Sequence, residues 1–118
     1  MRMWRLSPAL LCNQHLLGAH SELHKFLPGF RQQHRVAGRI FPVVQIELTA
    51  YLQEHDALAA EMVRRGMHHR SPLTQRDLPD FSYLPPGHFQ ARVDPQISIQ
   101  DLSARCPECR QRIIQAQK

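Results

Sequence analysis

No apolar run in this chain approaches the ~18 residues that would mark a membrane-spanning helix, so no membrane contact is expected. The N-terminal Met1-Arg2-Met3-Trp4-Arg5 leads into no apolar stretch with a small-residue cleavage site, so no secretory signal is read. Cysteine is scarce and odd in number, with only Cys12, Cys106 and Cys109. That excludes a disulfide framework, and the compartment expected is the reducing cytoplasm. Aromatic residues are few at 7% against nine prolines, which argues against a sheet-rich body. There is no internal repeat and no low-complexity tract. With 118 residues there is room for one compact domain, taken as residues 1–118, and not for two.

Acid is also scarce at one end. Residues 1–46 hold six Arg or Lys and a single carboxylate, Glu22, and the other nine acids lie from Glu47 onward. The formal net charge of +5 favours a polyanionic partner, although charge alone is weak evidence. A lone acid in a basic segment that faces phosphate needs a reason to be there.

What is present is helical periodicity. Ser7-Pro8 reads as a helix start, and Pro28-Gly29 stops that helix near Leu27. Leu16, His20, Leu23 and Leu27 form one stripe; Gln14, His15, Gly18, Glu22 and Lys25 fall on another face. A second helix is predicted over Gln45 to Arg65. Leu48, Tyr51, His55, Leu58 and Met62 line its core side, Leu52, Ala59 and Val63 widen the stripe, and Gly66 lies just past its end. A third helical region runs over Ser98–Gln115, interrupted by Pro107. Between them, residues 67–96 carry Pro72, Pro79, Pro85, Pro86 and Pro95, and read as a long ordered loop anchored by Phe81, Tyr83, Leu84 and Phe89. The fold class expected is mainly α: a compact single domain of about three helices with long ordered loops.

Several of these residues together resemble a known family. Gln14-His15-Leu16, with Glu22-Leu23 following, is similar to the first helix of the pyrimidine-dimer DNA glycosylases, the phage endonuclease V family. Arg65-Gly66 ending the second helix, and Ile97-Ser98 followed by Ala104-Arg105, extend the likeness. In that family the mature N-terminal α-amine is the nucleophile and a glutamate on the first helix stands beside it. The ungapped match puts those roles on the Met1 amine and on Glu22. Arg2 is too bulky for ordinary methionine removal, so Met1 is expected to be retained.

The resemblance therefore implies a DNA-repair glycosylase and abasic-site lyase acting on damaged double-stranded DNA, as a monomer and without a cofactor. Arg2, Gln14, His15, Lys25 and Arg105 are the expected DNA contacts. An α-amine has a reference pKa near 7.7–8.0 and so is partly neutral at pH 7, unlike a lysine. Ser21 and Lys25 stand where the phage proteins have arginines, and the end of this sequence, residues 113–118, has no aromatic, basic tail of their kind. Lyase action is thus expected to be better served than recognition of the dimer itself.

Without that likeness each residue reads more plainly. Glu22 would be a solvated helix residue, and His20, His24 and His55 buried, hydrogen-bonded histidines. Cys106-Pro107-Glu108-Cys109 has the spacing of half a zinc site or of a redox pair, with His68-His69 as the obvious completion, but two small residues packing a core is the simpler reading, and no metal is expected. The competing function class is a non-catalytic nucleic-acid-binding module, zinc-stabilised in one version.

Overall fold

A computed structural model describes residues 2–69 and 71–118. Its helices are α1 (Asn13–Lys25), α2 (Leu27–Arg31), α3 (Tyr51–Arg64), α4 (Pro95–Arg105) and α5 (Pro107–Ala116), joined by short 3-10 turns, and no strand occurs among the described residues. The mainly-α class holds, with three long helical stretches as expected. Their starts differ. Ser7-Pro8 opens only a 3-10 turn, Pro8–Leu10. Helix α1 begins later, where the Cys12 sulfur accepts the His15 N–H in place of a hydroxyl cap. The second helix likewise starts at Tyr51, after a 3-10 turn over Leu48–Ala50. Pro107 divides the third stretch, because a proline cannot donate the helical hydrogen bond its position demands; Cys106 ends α4 and caps α5.

One hydrophobic core joins all of these. Leu16 and Leu23 of α1, Tyr51, Leu58 and Met62 of α3, Leu102 of α4 and Ile113 of α5 are buried together with Met3 and Trp4. Helices α1 and α3 pack on each other, with the Tyr51 hydroxyl donating to the Leu23 carbonyl, and α4 packs on α5. Truncating a residue such as Leu23 to alanine is expected to cost about 2–5 kcal/mol. Val63 departs from the predicted stripe and is exposed.

At the end of α3, Gly66 adopts φ +81°, and the Met67 N–H returns to the Met62 carbonyl at 2.9 Å. That is the glycine stop read from the sequence. Arg65 just before it ties α3 to the start of α1, bonding Glu61, Asn13 Oδ1 and the Pro8 carbonyl. The proline-rich loop is held down as expected. Leu73, Leu84 and Val93 are buried, the Phe81 ring meets Phe30 edge-on at 4.9 Å, and the Tyr83 hydroxyl donates to the His34 carbonyl at 2.6 Å.

Candidate functional site

Residues 2–5 form an irregular segment laid on the bundle, pinned by the Met3 N–H to the Gln45 carbonyl at 2.8 Å and by burial of Met3 and Trp4. This lays Arg2 and Trp4 alongside the polar face of α1. Between them opens a cavity of about 390 Å³, lined by Arg2, Trp4, Gln14, His15, Gly18, Ala19, Glu22 and Arg105. Gln14, Gly18 and Glu22 recur every four residues on α1, which is what places them along one wall. Gly18 and Ala19 keep that wall low, and a Cβ added at Gly18 would meet nothing within 4 Å.

The cavity's charges are ordered. Glu22 Oε2 accepts the backbone N–H of Arg2 at 3.1 Å, which fixes a carboxylate at the beginning of the chain. The Arg2 guanidinium lies 4.7 Å from the Trp4 ring centroid and pairs with Asp101 of α4 at 2.8 Å. The Arg105 guanidinium lies 5.6 Å from the same ring. Two cations thus flank one indole, an arrangement that attracts both to the ring face. Arg2 Nε is buried and has no hydrogen-bond partner among the described residues. A donor left this way is costly unless something else accepts from it.

Of the residues singled out in the sequence, Arg2, Gln14, His15, Glu22 and Arg105 come together around this cavity. Lys25 does not: it is exposed at the end of α1 and is no part of the lining. Met1 lies outside the described residues. Trp4 and Asp101 were missed. Trp4 is the chain's only tryptophan, set between two arginines, which was the available signal. Nothing in the sequence joins Asp101 to Arg2, 99 residues away.

Two further clusters flank α1. At its start, Cys12, His15, Cys106 and Cys109 bring three sulfurs and a ring nitrogen within 4.8 Å of one another. Farther along, His20 and His24 of α1 meet His55 of α3, their ring nitrogens also within 4.8 Å. His69 Nε2 is 3.0 Å from His20 Nε2. Burial, aided by the neighbouring histidines, lowers the pKa of His20 to about 4, so its ring is neutral at pH 7.

A family model described as pyrimidine dimer DNA glycosylase matches residues 1–75. No curated protein and no solved structure matches the chain. The match takes in α1, α3 and every cavity residue except Arg105; Asp101, Arg105 and the Cys106–Cys109 pair lie beyond it.

Proposed function

Because the chain belongs to the pyrimidine dimer DNA glycosylase family, which points to base excision from DNA, we propose that it cleaves damaged duplex DNA as a glycosylase and abasic-site lyase, with the Met1 α-amine as nucleophile and Glu22 as the acid–base group. The observation that carries this reading is the Glu22 carboxylate held 3.1 Å from the Arg2 N–H, at the beginning of the chain and in an open, cation-flanked cavity. A volume of about 390 Å³ is within the usual range for a small-ligand site and suits one sugar with its base.

The steps follow from the chemistry of the groups. The neutral amine attacks C1′ of the deoxyribose, the C1′–N bond to the base breaks, and the base leaves with its electron pair and takes up a proton. Loss of the amine's proton and opening of the sugar ring, whose O4′ is protonated, give a C1′ iminium. Glu22 moves these protons and, as a carboxylate, stabilises the cation. The iminium acidifies C2′. Removal of a C2′ proton sends its electrons into a C2′–C3′ double bond and expels the 3′ phosphate, which nicks the strand. Water then hydrolyses the imine and returns the amine. Arg2 and Arg105 carry the adjoining phosphates, and Gln14 and His15 bound the sugar's space.

Borohydride added during reaction with an abasic duplex tests this directly. Reduction of the imine is expected to leave a covalent protein–DNA adduct. Salt-dependent binding with no adduct would overturn the lyase reading in favour of a non-catalytic binding module.

A further inference from the structure

We infer that Cys12, His15, Cys106 and Cys109 form a structural zinc site that clamps the C-terminal helices to the start of α1. The two halves share one spacing, Cys-x-x-His at 12–15 and Cys-x-x-Cys at 106–109. Each half sits on a helix N-terminus: Cys12 caps α1 and Cys106 caps α5. The separations fit a tetrahedron. With Zn–S near 2.3 Å and Zn–N near 2.0–2.1 Å, its edges are about 3.8 Å between sulfurs and about 3.5 Å from sulfur to nitrogen. Cys12 Sγ lies 3.8 Å from Cys106 Sγ and 3.3 Å from His15 Nδ1.

The backbone is arranged for thiolates. The His15 N–H approaches Cys12 Sγ at 3.4 Å, the Cys109 N–H approaches Cys106 Sγ at 3.4 Å, and the Cys12 N–H approaches Cys109 Sγ at 3.2 Å. Each sulfur therefore accepts one amide hydrogen, the partner a metal-bound thiolate needs to spread its charge. All three cysteines are buried, and Cys12 Sγ, which carries one hydrogen as a thiol, is approached by both His15 Nδ1 and Cys106 Sγ. A cation gives all four donors one purpose. The consequence for the cavity is positional: the same clamp fixes the segment that carries Asp101 and Arg105 against Trp4.

A different observation carries a second site independently, a divalent transition metal held by His20, His24 and His55 with His69 beside them. Asp56 Oδ1 lies 3.0 Å from His55 Nδ1 and, being a carboxylate, takes its hydrogen. In a neutral ring that leaves His55 Nε2 as a lone pair. It faces His20 Nε2 at 3.1 Å and the Ser71 carbonyl, also an acceptor, at 3.1 Å. His20 Nε2 is approached by His69 Nε2 as well and can donate only one hydrogen. His24 Nε2 is buried with no hydrogen-bond partner among the described residues. The array has too few hydrogens for its lone pairs, and a bound cation resolves the shortage. Asp56–His55 is then the carboxylate–histidine pair that commonly orients a metal ligand.

Cobalt(II) titration of reduced protein carrying no histidine tag tests both sites. Tetrahedral cobalt with three thiolates is expected to give an intense thiolate-to-metal charge-transfer band, and zinc should displace it. Metal analysis of the zinc-loaded protein should give two equivalents per chain. Cys109→Ser should abolish the charge-transfer band and lower the content by one equivalent, and His24→Ala should lower it by one while leaving the band. If either variant fails to fold, wild type alone decides: with both sites filled, the three thiols should be shielded from a thiol reagent until a chelator is added. Cobalt without a charge-transfer band, or thiols that react equally fast with and without zinc, would overturn the cysteine site. Content that never exceeds one equivalent while the charge-transfer band is present would overturn the histidine site.

Discussion

Two arginines three residues apart on the same irregular segment each face two carboxylates, and they serve opposite ends. Arg5 bonds Glu54 through its backbone N–H at 3.1 Å and through its guanidinium at 3.2 Å, and reaches Glu47 at 3.3 Å. Both glutamates are less than a tenth exposed. Arg5 even adopts φ +53°, a strained conformation for a residue with a Cβ, held by this cluster. Arg2 meets Glu22 only through its backbone N–H, and its guanidinium pairs with Asp101, which is 41% exposed. The Arg5 cluster closes on itself and locks the chain's start to α3. The Arg2 cluster leaves the Glu22 carboxylate facing an open cavity. Composition is the same, but only the open cluster can act on something outside the protein.

The largest effect expected lies at the open cluster. Adding one residue ahead of Met1 should abolish strand cleavage on an abasic duplex while circular dichroism stays unchanged. Full activity with an extended or acylated N-terminus would break the comparison at its functional end. Next comes Glu22→Gln, which keeps size and hydrogen bonding but removes charge and proton transfer. Turnover should fall by roughly 100-fold or more, while DNA binding survives, because a negative charge has left a basic face. Near-normal turnover would reduce Glu22 to a surface residue.

The closed cluster should respond in stability. Arg5→Met strands two buried carboxylates and is expected to cost about 3–5 kcal/mol, read from denaturant midpoints. The loss should depend on pH. Burial already raises the pKa of Glu54 against the opposing pull of Arg5, and Glu47 adds a repulsion. A carboxyl whose folded pKa lies above its unfolded value binds its proton more tightly in the fold, so stability falls as pH rises between the two. Removing Arg5 widens that window. The variant should therefore recover part of its deficit as pH falls toward the ordinary glutamate range. A deficit independent of pH would show that Arg5 acts by packing alone.

This contrast was only half legible in the sequence. The faces of α1 were readable because a 3.6-residue period sorts Leu16, His20 and Leu23 from Gln14, Gly18 and Glu22 within one helix. The stop at Gly66 was readable because few residues tolerate its positive φ. Glu54 and Glu61, in contrast, lie outside the apolar stripe read for that helix and yet are buried, because arginines distant or adjacent in sequence neutralise them. The cysteines show the same limit. The sequence offered His68-His69 to complete Cys106-x-x-Cys109, whereas folding brings Cys12 and His15 there, 94 residues from Cys106 at the nearest sulfur contact. Local periodicity reports which side of a helix is apolar; it does not report which distant group meets the polar one.

The smallest effects concern how the open cluster grips phosphate, and they separate Arg2 from Lys25. Arg2 is already paired, so a phosphate must displace Asp101 before it gains that cation. Asp101→Asn removes the competitor. An ion pair this exposed is worth about 0.2–1 kcal/mol, so the variant should bind abasic DNA up to about fivefold more tightly, with a steeper dependence on salt. Lys25 has no such competitor among the described residues and stands exposed beyond the cavity. If the DNA backbone continues along α1 past Glu22, Lys25→Ala should flatten the log–log salt slope by about one unit. Binding isotherms at several salt concentrations for the two variants and wild type measure both. An unchanged slope in Lys25→Ala, together with tighter binding in Asp101→Asn, would turn the DNA track away from the end of α1 and toward Arg105, on the α4 side of the cavity.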